Sequence, residues 1–283
     1  MGKVEIKTGK THTYLGEEIE DSGSNTANVR AKVTKGPGSV KNILQILTEI
    51  YLGEHYFEAL ILLRNSMLIS VITSNLEVAM NLTAKEIKML DDIDMRLLRA
   101  GMMVSAKSSR CLLLLELGLV SVKYILKRKR LGYLHYLLTS EDQNLAKMVL
   151  QEQVRSPKQW EWLSQVKKDL KDLKIELTIS QLASLSKLKF KAILKEATEG
   201  ACLEDLLREK GKQSKGKELN YSSLELQPYL KSGNGISIEN MRHIYFSRCR
   251  ENFLKANFKS LFQEDNCVAP LCGEKGGDRE THM

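Results

Sequence analysis

The feature that most constrains this chain is the spacing of its aliphatic residues. From Ser39 onward, apolar side chains recur three and four positions apart in block after block, and only 4 prolines interrupt the 283 residues. That spacing lines one face of a helix. Leu and Lys are the most frequent residues, and both lose little rotamer freedom on becoming helical. Ile43, Leu44, Leu47 and Ile50 set the first period, and Phe57, Leu60, Ile61, Met67, Leu68 and Val71 continue it after Gly53. The expected fold class is mainly α: a helical bundle with a short N-terminal β-hairpin remnant and a disordered C-terminal tail.

Helix boundaries are written into the polar residues between these blocks. Thr83-Ala84-Lys85-Glu86 is a capping box, in which the threonine oxygen takes the third backbone N–H and the glutamate reaches back. Ile87, Leu90, Ile93 and Leu97 then share a face, and Gly101 is the expected stop. Glu116 to Leu138 forms the next block. Ser156-Pro157-Lys158-Gln159 carries a good N-cap and a proline suited to the first helical position. Thr178-Ile179-Ser180-Gln181 is another box, and Ser237 is placed to cap a last helix.

Four stretches are expected. In 1–40, Val4–Lys7 alternates apolar and polar residues as a half-buried strand does, and 12–16 resembles a second strand. A lone hairpin is marginal in water, so it must lean on the helical region beyond it. Gly36-Pro37-Gly38 reads as a break before the first long helix. Residues 41–207 are the helical region. Residues 208–235 open on R-E-K-G-K-Q-S-K-G-K, read as a basic flexible linker that either stays solvated or touches phosphate, and then turn. Residues 236–283 hold the last helix and the tail.

The formal charge of +8 favours polyanionic partners. The candidate ligands of phosphate are Lys123, Lys127, Arg128 and Arg130 in one helical block, with Arg242 and Arg248 near the end. Lys123, Lys127 and Arg130 fall at i, i+4 and i+7 and therefore share a face. Around Arg242 and Arg248, basic and aromatic residues alternate. That pattern fits base stacking with phosphate contact, and equally an ordinary amphipathic helix.

Catalytic chemistry finds little support. His12, His55, His135 and His243 stand alone, with no cluster of carboxylates or cysteines around them. The G-x-S-x-G, H-E-x-x-H, Walker and G-x-G-x-x-G patterns are all missing. Asp91, Asp92 and Asp94 lie within a helical period, where neighbouring side chains point about 100° apart, and read as a solvated acidic face. Five cysteines and no apolar leader suggest a reducing, intracellular setting, and no window approaches about 18 uncharged apolar residues, so no membrane span is expected. Cys267, Cys272 and His282 near the end are three of the four ligands that a structural Zn2+ site takes.

Several segments, in order, resemble one family: Tyr14-Leu15-Gly16, Leu62–Leu68, Leu114–Gly118, Arg130–Leu138 and Gln165–Leu170. They are similar to the region after the catalytic palm in reverse transcriptases of non-LTR (LINE-like) retrotransposons. The resemblance implies a thumb-like helical region that contacts nucleic acid without base readout, and a nuclear setting. It also implies a zinc-knuckle-like end. Here that end reads Ala269-Pro270-Leu271-Cys272-Gly273, with alanine at the family's first cysteine and Cys267 displaced by two positions. The metal-holding aspartates of the palm would precede residue 1. The expectation is therefore a non-catalytic fragment of an RNA-directed DNA polymerase that binds RNA or DNA without sequence preference and uses no cofactor. The alternative is a helical, self-associating interaction protein, a relic of a decayed element.

Overall fold

The computed structural model describes residues 11–250, apart from 15–16, 21–23, 51, 80–81, 157, 159–160, 214 and 217. The architecture is mainly helical, as the spacing requires. Strands β1 (Thr11–Tyr14) and β2 (Glu17–Glu20) pair antiparallel, Thr11 opposite Glu20 and Tyr14 opposite Glu17. The expected strand at 12–16 thus pairs forward along the chain. Val4–Lys7 lies outside the described residues.

Helix α1 (Thr26–Glu49) begins well before the expected first helix and runs straight through Gly36-Pro37-Gly38. A proline there forfeits one backbone bond and crowds the preceding turn. Tertiary packing overrides the break. A Cβ on Gly36 would lie 2.8 Å from Ile93 Cγ2, so the missing side chain lets α1 close onto α4 (Ala84–Met102). Helix α2 (Tyr56–Leu63) passes through a π turn at Arg64–Leu68 into α3 (Ile69–Thr73). Within this apolar run Phe57, Leu60, Leu68 and Ile72 are fully buried. Burying one such side chain stabilises the fold by about 1.5–3 kcal/mol.

The block expected at Glu116–Leu138 is helical only from Val122, as α6 (Val122–Thr139); Glu116 instead ends a separate helix, α5 (Arg110–Glu116). Gly118 separates them with φ +63°, and a Cβ there would run into the backbone of Glu225. Only glycine meets both demands. Every residue of Cys111–Glu116 is buried, which explains why this segment shows no polar face.

Helix α7 (Leu145–Arg155), capped by the Asn144 side chain, is not anticipated by the apolar spacing. Ser156 closes α7 rather than opening a helix, and α8 (Trp162–Asp172) starts after Glu161. The capping boxes at Thr83 and Thr178 form as expected; Thr178 opens α9 (Ile179–Ser184). Helix α10 (Lys187–Gly211) follows, and then α11 (Ile238–Arg248), capped by Ser237. The basic stretch from Arg208 is not wholly a linker. It is helical to Gly211, and the buried Lys210 ammonium donates to the carbonyl of Gly216 at 3.2 Å. Helix α6 is the hub of the bundle, touching α3, α4, α7, α8, α9 and α10.

Candidate nucleic-acid interface

The six cations expected to meet phosphate all have partners within the fold, although only Lys127 and Arg130 are buried. Arg130 is 5% exposed at its side chain and forms an ion pair with the sealed Asp169. Lys127 donates to Asp172 at 2.5 Å and lies 3.7 Å from Asp169. Lys123 pairs with Asp205 at 2.8 Å. Arg128 donates two bonds to Thr198, at 2.9 and 2.6 Å, and approaches Glu199. Arg242 covers the Tyr56 ring and bonds the Gly101 carbonyl, while Arg248 pairs with the fully buried Glu116 at 3.1 Å. The cationic stripe at Lys123, Lys127 and Arg130 is therefore corrected to a set of ion pairs, buried at Lys127 and Arg130 and exposed at Lys123. The reason is tertiary: α8 and α10 bring their aspartates against α6, and a charge removed from water requires a partner.

The acidic helix face is corrected in the same way. Asp94 accepts two bonds from Arg64, at 2.7 and 2.6 Å, with both residues sealed, and Asp91 pairs with Arg110. Only Asp92 stands in solvent, beside Lys88.

A different cationic surface emerges between α6 and α10. The two helices line a groove of about 670 Å³. From α6 it is lined by Arg128, Lys129, Gly132, His135, Tyr136 and Thr139. From α10 come Lys187, Phe190, Lys191, Leu194 and Lys195, after Leu185 and Ser186 in the preceding turn. These positions follow helical spacing on both sides, so each helix gives the groove one continuous face. The floor is aromatic and aliphatic. His135 stacks on Phe190 with centroids 4.4 Å apart, and its Nε2–H donates to the Leu185 carbonyl at 3.0 Å.

The rim is cationic. Lys187, Lys191 and Lys195 are exposed and repeat every fourth residue along α10. None of the described carboxylates forms an ion pair with them, and none lines the groove. Like charges four residues apart repel, so this ladder costs helix stability unless an anion sits over it. Burial pulls the Arg128 and Lys129 side chains below their ordinary pKa values, and the Lys129 ammonium donates to the Thr73 carbonyl at 3.3 Å. The lysine ladder was missed in the sequence because basic residues are common throughout. The signal that identifies it is negative: a run of lysines at i, i+4 and i+8 without acidic partners between them.

Among the described residues, no three His, Cys, Asp or Glu side chains converge to hold a metal ion. Cys267, Cys272 and His282 lie outside the described residues. Cys111 and Cys202 are buried thiols whose pKa values burial pushes up, the opposite of what a nucleophilic cysteine needs. The chain matches no protein-family model, no curated protein and no solved structure.

Proposed function

We propose that this chain binds nucleic acid without reading sequence and carries out no chemistry on it. Its order of segments resembles the post-palm, thumb-like region of non-LTR retrotransposon reverse transcriptases, which supports the same reading. One observation carries it: Lys187, Lys191 and Lys195 rim the α6–α10 groove, and no carboxylate among the described residues forms an ion pair with them. Backbone contacts of this kind supply affinity but no base discrimination.

The test is binding of the purified chain to a labelled RNA strand, alone and as its DNA hybrid, across a salt series. Affinity should fall steeply with salt. Replacing all three lysines by glutamine should flatten the slope by roughly 0.7 per lost contact on a single strand. Undetectable binding at low salt, or a slope indifferent to these changes, removes the reading.

The self-association reading is favoured by a separate observation. Leu145, Met148 and Val149 occupy one face of α7 and are 77, 51 and 57% exposed. Apolar patches of this kind mark contact surfaces. A concentration-dependent dimer that Leu145→Glu with Val149→Glu disperses would establish it; a monodisperse monomer would exclude it.

A further inference from the structure

The groove has a floor as well as a rim, and a double helix has no use for the floor. Midway along its α6 wall stands Gly132, in a helix interior where alanine would be more stable. No neighbour demands the missing side chain: a Cβ there would meet nothing within 4 Å. The glycine therefore keeps a recess open. Phe190 and Leu194 line it with 3% exposure each, so they offer a limited apolar surface at the base. Tyr136 stands beside it, 54% exposed, with Tyr133 stacked behind at 6.0 Å.

We propose that this recess admits an unpaired base, so that the groove selects single-stranded nucleic acid over duplex. The inference rests on the nucleic-acid reading above and names the substrate form. Three features support it. Bases in a duplex are stacked and turn only their edges and backbone outward, whereas an unpaired base presents a face that an aromatic ring can cover. The recess is apolar while its rim is cationic, which matches a base flanked by phosphates. The lysines climb α10 in steps of about 6 Å, a spacing comparable to successive phosphates of an extended strand.

The experiment compares a labelled oligouridylate with an RNA hairpin of equal phosphate count, its strands joined by a non-nucleotide linker so that no base is unpaired, by fluorescence anisotropy on the full chain. The native chain should bind the single strand roughly tenfold or more tightly than the hairpin, the effect of stacking one base. Gly132→Leu fills the recess and should bring single-strand affinity down to the hairpin level, with helix content unchanged by circular dichroism. Tyr136→Ala, at an exposed position, should weaken single-strand binding about tenfold. Equal affinity for the two probes, or single-strand binding that survives both substitutions, overturns the inference. In that case, loss of all binding in the Lys187→Gln, Lys191→Gln, Lys195→Gln triple variant would leave the nucleic-acid reading standing. Failure of the native chain to bind either probe overturns both.

Discussion

Arg130 of α6 and Asp169 of α8 form an ion pair with 5 and 1% of their side chains exposed, and the Lys127 ammonium lies 3.7 Å from the same aspartate. Arg130 also donates to the Ala79 carbonyl at 3.2 Å. The residue that looks most like a phosphate ligand in the sequence thus ties two helices and a loop together. Removing one partner of such a pair leaves an uncompensated buried charge. We expect Asp169→Ala to cost about 3–5 kcal/mol, read from the urea midpoint. Arg130→Met with Asp169→Leu should cost less than either single truncation. A negligible effect of Asp169→Ala would show that the pair is solvated.

Glu116 gathers the C-terminal segment onto α5. Its carboxylate has no exposure and accepts from Tyr221, from Tyr229 at 2.6 Å and from Arg248. Burial and the neighbouring carboxylate push both tyrosine hydroxyls well above the ordinary range, so they act as donors at all accessible pH. We expect Glu116→Ala to free residues 218–248 before the rest unfolds, with faster amide exchange there than in α6. Uniform exchange across the chain would refute the clasp. Tyr229→Phe, which removes one bond, should cost about 1 kcal/mol.

Gly36 marks the tightest crossing of α1 with α4. Any Cβ there sits 2.8 Å from Ile93 Cγ2 and 2.9 Å from Cδ1. The first of these is a β-branch methyl that cannot swing away freely. Gly36→Ala should therefore destabilise by about 1–3 kcal/mol despite its better helix propensity. Adding Ile93→Ala should recover part of that loss in a double-mutant cycle. Stabilisation by Gly36→Ala alone would show that α1 and α4 can separate cheaply.

Acid should weaken the fold through Asp205. Burial raises its carboxyl pKa, but the bonds from Lys123 and Tyr124 outweigh that effect and hold the group below the usual aspartate value. The unfolded chain consequently takes up this proton first as pH falls. The stabilisation is complete above the unfolded value of about 3.9 and is lost as pH drops through the lower folded value. Glu86 behaves alike: burial raises it, and the Thr83 and Thr26 hydrogen bonds prevail. We expect the urea midpoint to fall between about pH 5 and about pH 3, where carboxylates titrate, and Asp205→Asn to reduce that loss. A midpoint that holds steady over this interval would show that neither carboxylate is stabilised by folding.

Much of the fold was legible because it rests on local chemistry. The boxes at Thr83 and Thr178 and the cap at Ser237 need only residues within one turn, and each forms where its sequence places it. Helix α7 was not legible, because its apolar residues point largely outward: Leu150 alone is buried, and Leu145, Met148 and Val149 are exposed. The fate of the charges was not legible either. Helical spacing puts Lys123, Lys127 and Arg130 on one face, but no spacing rule within α6 says that Asp169, Asp172 and Asp205 will arrive from α8 and α10.

The division between the two levels reflects the range of the forces. Periodicity, caps and composition act within a few residues, so the sequence by itself determined that this chain is helical and basic, with helices opening at Thr83, Thr178 and Ser237. Helix length across Gly36-Pro37-Gly38 depended on α4, and the end of the basic stretch depended on where Lys210 finds its carbonyls. Which cations are neutralised and which stay open was decided only by tertiary packing, because ion pairing requires a partner from a distant helix. That packing closed the expected stripe on α6 and left Lys187, Lys191 and Lys195 uncovered along the groove.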